Sequence, residues 1–254
     1  MELITDNDTL HRLYPSLGAN HCFVGRLRVK AGEEFIIHDL EQRGVRLFPS
    51  GLSQILSRSK VAQARLLASF MPPLTLAIFD HHDLLAAVNL YGRKQIGAVV
   101  SKEDRKNGGQ GIHKWSSVED VFNQASLAVL PYPFVLQPFF PEAVDIRVII
   151  LGSHHQESYQ RRNPDNFRNN LHCGGQGSRI QLNADQHQLC AAVMARGGFP
   201  YAHIDLITTR DGRSYLGEIN LRGGLRGAQV KGARYQQILA AIHQEFLQAT
   251  FSPS

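Results

Sequence analysis

Three oxygen-bearing side chains crowd into one short stretch of the last third of the chain. Asp205 ends the apolar run in AHIDLI, and Glu218 and Asn220 sit two residues apart in YLGEIN. Residues two apart on a strand project from the same face, so Glu218 and Asn220 point the same way. Between them, Thr208–Arg213 with its Asp211-Gly212 pair predicts a hairpin turn that sets Asp205 alongside. Two carboxylates and an amide oxygen form a hard, incomplete ligand shell, which suits Mg²⁺ when phosphate oxygens supply the remaining ligands. Taken alone, the triplet also fits solvated hairpin residues, so its meaning rests on what else the chain carries.

The chain also carries cations placed near glycines. Lys102 follows the apolar run QIGAVVSK and precedes Asn107-Gly108-Gly109-Gln110-Gly111. This puts an ammonium just before a loop whose backbone N–H groups can face phosphate oxygens, with no Cβ to hold them off. The loop has neither the GxxxxGK[ST] nor the GxGxxG pattern, and a plain flexible hairpin is the competing account. Arg147, Arg161, Arg168 and Asn170 follow, ending in Gly174-Gly175-Gln176-Gly177. The guanidinium fork matches phosphate and carboxylate geometry, and several forks between two glycine loops and a carboxylate hairpin predict an anion pocket. The His81-His82 and His154-His155 pairs lack the i,i+4 spacing of a zinc helix and are assigned to the surface. Cys173 lies in the basic loop without an evident His base, which argues against a nucleophile.

The elements that position these groups read as two small α+β lobes behind an N-terminal α/β segment. That segment, to about Pro49, has strand-like runs at Leu3-Ile4, Cys22–Val29, Glu34–Asp39 and Val45–Phe48. Ser50–Ser57 and Lys60–Phe70 predict helices, the second closed by Pro72-Pro73. LTLAIF (74–79) and QIGAVVSK (95–102) predict strands around a helix from Asp83 to Leu90. Ser116-x-x-Glu119 reads as a capping box, and Pro138 demotes FVLQPFF (134–140) to an edge strand or linker. DIRVIIL (145–151), a basic loop from Gln160 to Gly177, a helix Ala184–Arg196 opened by Asn183-x-x-Gln186, the hairpin and an amphipathic terminal helix complete the pattern.

Composition bounds the function classes. The 254 residues are 43% hydrophobic and 19% charged, the balance of a globular chain. No apolar run of about 18 residues is present to span a bilayer, and MELITDNDTL lacks the features of a secretory signal. Cys22, Cys173 and Cys190 are scattered, which argues against a disulfide framework and for a reducing cytoplasm. With 27 basic and 22 acidic residues the net charge is +5. That excess suits an anionic ligand, but without a Lys/Arg block or aromatic platform it argues against nucleic acid.

In order and spacing, these motifs resemble the ATP-grasp superfamily, and within it the RimK and glutathione-synthetase-like ligases, over roughly Ser57 to Gln248. Lys60 in SRSKVAQARLLA is similar to the family's first nucleotide lysine, and AVVSKEDRKNGGQGI to its second lysine strand and phosphate loop. LQPFF is similar to the adenine hinge, DIRV to the strand after it, NFRNNLHCGG to the basic loop, and IDLI with LGEIN to the Mg²⁺ pair. The resemblance implies an α/β chain of α+β lobes in an ATP-grasp fold. Residues 1–57 would be a short N-terminal α/β domain, 58–136 the first lobe and 137–254 the second. It implies an ATP-dependent carboxylate–amine ligase that works through an acyl phosphate. Lys60, Lys102 and Gly108, Gly109, Gln110 and Gly111 would bind phosphates, and Gln137, Pro138 and Phe140 the adenine. Asp205, Glu218 and Asn220 would hold Mg²⁺, with Mn²⁺ as the alternative. Arg168 and Asn170 would stabilise the transferred phosphoryl group, and Arg147 and Arg161 the donor carboxylate. The implied partners are small carboxylate and amine substrates or a peptide or protein tail, with no membrane, and a homo-oligomer is the implied association.

Three departures stand out. Pro138 replaces an acidic hinge residue and has no N–H. The usual Asn-x-Ser-Pro-Gly reads Asn220-Leu221-Arg222-Gly223-Gly224 here, which puts a cation, Arg222, at the substrate end. The N-terminal domain is shorter than usual. The second and third feed a rival reading, a non-catalytic nucleotide-binding scaffold, against which the full set of Lys, Arg, Asp, Glu and Asn residues speaks.

Overall fold

Strands in this chain pair in three separate sheets, and each has its own apolar core. The computed structural model describes residues 1–106, 108–169 and 174–251. The N-terminal segment contains β1 (Glu2–Ile4), α1 (Asn7–Leu13), β2 (His21–Val24), α2 (Phe35–Gln42) and β3 (Arg46–Phe48), with the strands parallel in the order β1-β2-β3. The run Glu34–Asp39, expected as a strand, is helical in α2. Parallel neighbours need a crossover between them, and α2 supplies it for β2 and β3. Ile37 and Leu40, three residues apart, face the core while Phe35 stays 62% exposed. The strand expected over Cys22–Val29 stops at Gly25, which leaves the extended pairing with φ +147°.

Two short helices follow, α3 (Gly51–Leu56) and α4 (Lys60–Leu66), capped by the Ser50 and Ser59 side chains. A second sheet is built from β4 (Leu76–Ile78), β5 (Val99–Glu103), β6 (Ile112–Trp115) and β7 (Phe134–Pro138) in the antiparallel order β4-β7-β5-β6. The helices α5 (His81–Arg93) and α6 (Val118–Ser126) cover it over Leu84, Tyr91, Val121 and Phe134. The capping box of α6 is Ser117 with Asp120, one residue later than expected. β7 is a central strand, not an edge. Its pairing with β4 ends at Leu136, so the donor that Pro138 lacks is not needed on that side.

The third sheet is antiparallel, in the order β10-β9-β8-β11-β12. It comprises β8 (Val144–Leu151), β9 (His155–Arg162), β10 (Gln176–Arg179), β11 (Tyr201–Thr208) and β12 (Ser214–Asn220). Both ends of the expected Gln160–Gly177 loop are therefore strand. Against this sheet pack α7 (Ala184–Gly197), with its Asn183–Gln186 capping box and left-handed Gly198, and α8 (Gly232–Phe251). Ile204, Leu206, Leu216 and Ile219 share this core with Val61 and Ala64 of α4 and with Leu67 just after it. Cys22 and Cys190 are buried free thiols. Among the described residues, no helix is long and apolar enough to cross a membrane.

β12 is an edge strand, and an exposed edge leaves backbone groups unpaired. Here Gln63 of α4 closes it. Its amide donates to the carbonyl oxygens of Ile219 (2.8 Å) and Leu56 (2.7 Å), and its Oε1 accepts the Ile219 N–H (3.0 Å). Ser57 Oγ accepts the Leu221 N–H at 2.9 Å. This fixes α4, and with it Lys60, against the strand that carries Glu218. Replacing Gln63 by Leu, similar in size but unable to pair, strands these buried backbone groups. The expected loss is about 3 kcal/mol of unfolding free energy, from roughly 1–3 kcal/mol per orphaned group. A urea midpoint unchanged in Gln63→Leu would refute the clamp.

Candidate functional site

The hairpin of β11 and β12 puts Asp205 directly across from Glu218, and on its other side Asp205 is in register with Arg147 of β8. A bulge follows at once, since Leu206 pairs with Leu216 and Gly217 is the extra residue. A Cβ on Gly217 would stand 3.1 Å from the Asp205 carbonyl oxygen. Its own carbonyl faces the Lys102 ammonium at 3.5 Å. The sheet row thus runs Tyr159, Arg147, Asp205, Glu218, with Arg161 and Asp145 paired in the neighbouring row.

Charge decides how these groups settle. Arg147 donates to both oxygens of Asp205, the Nη2 bond being 3.0 Å. Arg161 bridges Asp145 (Nε at 2.7 Å) and Asp205 (Nη2 at 3.0 Å). Burial alone would raise the Asp205 carboxyl, but the two guanidiniums outweigh it and hold the group well below the usual carboxylate range. Asp145 moves the other way, since burial outweighs the bonded guanidinium of Arg161 and the weaker pull of Arg147, and Asp205 adds repulsion. Lys102 is lowered by desolvation, which Glu218 only partly offsets. Lys60, nearly buried, sits 3.6 Å from Glu218 and donates to the Lys106 carbonyl. Asp104 accepts the Val61 N–H at 3.2 Å, so the base of the glycine loop is tied to α4.

Two chambers open around this cluster. The first, about 750 Å³, lies between the second and third sheets. Lys102, Gly108, Gly109, Gln137, Pro138, Phe140, Arg147, Arg161, Arg168, Asp205 and Glu218 all line it. Its far end is apolar, with Phe139 set edge-on against Phe167 at 6.2 Å and Lys114 over the Phe139 ring at 4.2 Å. The Phe140 N–H points to no partner among the described residues. Arg168 donates to the Ile112 carbonyl at 2.5 Å and so draws the β9–β10 connection across to β6. The second chamber, about 1010 Å³, is lined by Lys60, Asn220 and Arg222, which the first lacks. Glu218 is the one residue of the Asp205, Glu218 and Asn220 set that faces both. Gly108 and Gly109, with φ +68° and +81°, also border both chambers.

Not every expected residue joins them. Gln110 is exposed and lines neither chamber, and Gly111 (φ +72°) serves the hairpin, its carbonyl accepting the Glu103 N–H at 2.8 Å. Asn170, Asn107 and Cys173 lie outside the described residues. The histidine pairs stay out of both chambers. Among the described residues no three His, Cys, Asp or Glu side chains cluster as a ready-made metal site. What is present is two carboxylates and an amide oxygen, which suit a hard cation only if another ligand completes them. Sequence reasoning missed Asp145, although it opens the quoted DIRV motif, and His203, one strand position pair from Asp205. His203 is buried, with Nε2 3.0 Å from the Tyr235 hydroxyl. Desolvation, and then the Arg147 charge, push it down to about 3, so it is neutral.

Comparison with known proteins places this geometry. A family model described as a RimK-like ATP-grasp domain matches residues 87–242. A probable alpha-L-glutamate ligase of Haemophilus ducreyi is 30% identical over 180 residues, 68% of this chain, and the chain spans 57% of that protein's length. The crystal structure of D-cycloserine synthetase DcsG aligns with TM-score 0.65 at 18% identity, covering 88% of this chain and 84% of that one. A Chryseobacterium gregarium RiPP-associated ATP-grasp ligase, in complex with ADP and a leader and core peptide, aligns with TM-score 0.59 at 15% identity, over 84% and 67%. The likeness in structure establishes the fold as ATP-grasp.

Lys60, Lys102, Arg147 and Arg161 face Asp145, Asp205 and Glu218, so cations already exceed carboxylates. Asp205→Asn widens that excess and leaves Arg147 without its acid. The expected cost is about 3 kcal/mol at neutral pH, the low end for breaking a buried pair. Because the folded-state pKa of Asp205 is depressed, its contribution is full above the unfolded value and is lost on acidification. The gap between wild type and Asp205→Asn in urea denaturation therefore narrows below about pH 4.

Proposed function

Because this chain belongs to the RimK-like ATP-grasp family, we propose that it is an ATP-dependent ligase that joins a carboxylate to an amine through an acyl phosphate. The observation that carries this reading is the first chamber, apolar at one end and charged at the other, with Lys102 and Glu218 meeting where the two sheets face each other. Adenine would lie among Pro138, Phe139, Phe140 and Phe167, with the Phe140 N–H free to donate. Lys102 and the Gly108-Gly109 backbone would neutralise the phosphates. Lys60, which lines only the second chamber, would reach them from the side of Glu218.

Asp205, Glu218 and Asn220 fit Mg²⁺ by donor type, all hard oxygens on one sheet face, and Mn²⁺ shares that preference. Bound there, the ion would draw charge from the β- and γ-phosphate oxygens. Arg147 and Arg161 now occupy Asp205, and their forks would turn to the donor carboxylate when Asp205 is taken up by the metal. That carboxylate attacks the γ-phosphorus and ADP leaves. The amine then attacks the acyl carbon and expels phosphate, losing a proton in the process. Arg168 and Asn170 would stabilise the transferred phosphoryl group. The protein's contribution is positioning and charge neutralisation, which suits a site of fixed cations better than one of acid–base pairs.

In this reading residues 1–57 form an N-terminal domain, 58–136 the first lobe and 137–254 the second. The substrates are small carboxylates and amines or a peptide tail, the scattered free cysteines fit the cytoplasm, and a homo-oligomer fits the family. The Arg222-Gly223 departure favours a second reading, a nucleotide-binding scaffold without turnover. Titration calorimetry with ATP and Mg²⁺, run beside an ADP-release assay over pairs of carboxylates and amines, separates the two. We expect Mg²⁺-dependent binding, weakened about tenfold or more by Glu218→Gln, and ADP release only when both substrates are present. Full turnover in Glu218→Gln would sink the metal assignment, and binding without release from any pair would favour the scaffold.

A further inference from the structure

The second chamber holds more positive charge than the chemistry above uses. Lys60, Arg147 and Arg161 belong to the reaction, and Arg105 is satisfied by Glu34 and Asp104. Besides Lys106 and Arg226, which also line the chamber, three arginines from separate stretches converge there: Arg26 from the β2–α2 connection, Arg58 from the α3–α4 junction and Arg222 from the segment after β12. Every Asp and Glu of the chain is among the described residues, and Glu218 is the one that lines this chamber.

None of these three arginines forms an ion pair among the described residues, although the Glu34 charge reaches Arg58. Arg26 and Arg222 are exposed residues whose guanidiniums have no hydrogen-bond or ion-pair partner among the described residues. Although Arg26 is exposed as a residue, partial desolvation and then the charge of Arg222 lower its pKa. Arg58 donates to the Leu27 carbonyl with one nitrogen, but its Nη1 is buried without a partner. Burial and the neighbouring Arg26 outweigh the Glu34 charge and bring its pKa down to about 10. Solvent exposure would account for Arg222 and Arg26. It does not explain a buried, unsatisfied guanidinium nitrogen beside two further cations, because such a group carries its full desolvation cost until an acceptor arrives.

Gly223 fixes how closely this trio approaches the reacting groups. A Cβ there would stand 2.6 Å from His203 Nδ1 and 2.7 Å from Arg147 Nη1. Without a side chain, the backbone that carries Arg222 lies directly on Arg147. A substrate whose reacting carboxylate lies at Arg147 and Arg161 would therefore present its remainder to Arg222, Arg26 and Arg58.

We propose that Arg26, Arg58 and Arg222 bind a second anionic group of the substrate, a carboxylate or a phosphate, so that the chamber selects polyanions over monoanions of similar size. The proposal rests on the ligase reading only for the identity of the reaction that uses this anion. Arginine forks serve either oxyanion, and the two sources are told apart by the probe.

The test is calorimetric titration of the full chain at about 0.15 M salt, where general attraction between exposed charges is screened. The protein is first saturated with ADP and Mg²⁺ so that the phosphate subsite is filled. Tricarballylate and O-phospho-L-serine are the polyanionic probes, and butyrate is the monoanion. We expect saturable binding of at least one polyanion, weakened about tenfold or more in Arg222→Ala and in Arg26→Ala, as the loss of a charge-assisted bond implies. Arg210→Ala, which removes an exposed cation elsewhere, should leave it unchanged. ADP affinity should be the same in all four proteins. Tighter binding of O-phospho-L-serine would mark a phosphate ligand, and tighter binding of tricarballylate a polycarboxylate. Equal polyanion affinity in wild type, Arg222→Ala and Arg26→Ala would overturn the proposal, as would butyrate binding as tightly as the polyanions. Failure of ADP to bind would instead count against the ligase reading, and the same three-protein comparison without ADP would still decide the role of the arginines.

Discussion

Two carboxylates face each other across an antiparallel strand pair, and the rest of the site is arranged around that fact. Asp205 and Glu218 are cross-strand partners on one sheet face, where like charges repel at close range. Neither is neutralised by its own hairpin. Arg147 comes from the next strand, Arg161 from the one beyond, Lys60 from α4 and Lys102 from a different sheet. Four elements distant in sequence must converge to set these cations around the pair. The asymmetry among the acids follows directly. Asp205, bonded by two guanidiniums, is held strongly ionised, whereas Asp145, bonded by one, is pushed toward its neutral form.

Convergence of this kind needs a rigid frame, and the edge of the third sheet supplies it. An amide side chain presents a donor and an acceptor side by side, as the backbone does, and its second N–H reaches Leu56, so Gln63 extends the ladder of β12 by one rung from a helix. The same helix places Lys60 one turn before Gln63, which leaves its ammonium between Glu218 and the base of the glycine loop. A polar contact that closes a sheet edge therefore also sets the reach of a cation. Packing of Val61, Ala64 and Leu67 on the sheet core keeps the helix from sliding along that edge.

How much of this was legible in the sequence depended on the range of the interaction involved. Asp205, Glu218 and their turn could be read because strand alternation and Asp211-Gly212 are local signals. The cap at Asn183 follows the same logic, and α6 was misplaced by one residue because Ser116 and Ser117 both offer a cap with an acid three positions on. α2 was misread because Ile36 and Ile37 favour strands locally, while the parallel pairing of β2 with β3 demands a helical crossover. Pro138 was misjudged because the rule against central prolines concerns a donor in use, and β4 ends before that donor is required. Gln63, Asp145 and Arg26 carry no local signature at all. Their roles arise from partners between 16 and 196 residues away, as with Asp145 to Arg161, Gln63 to Ile219 and Arg26 to Arg222.

The Arg222-Gly223 pair shows why a departure from a motif has to be weighed in three dimensions. As a sequence change it exchanges a small polar residue and a proline for a cation and a glycine, and it reads as damage to a substrate loop. In the fold, the glycine is the residue that the space permits. His203 and Arg147 occupy the volume into which any side chain at 223 would project. Arg147 is held there by Asp205, and His203 by Tyr235, so neither can give way without breaking a buried contact. The cation at 222 is then carried by a backbone pressed against the very guanidinium that is assigned to the reacting carboxylate. Two changes that seem to weaken a family pattern are thus physically coupled to the charged row that the pattern depends on, and their joint effect is to move positive charge toward the substrate.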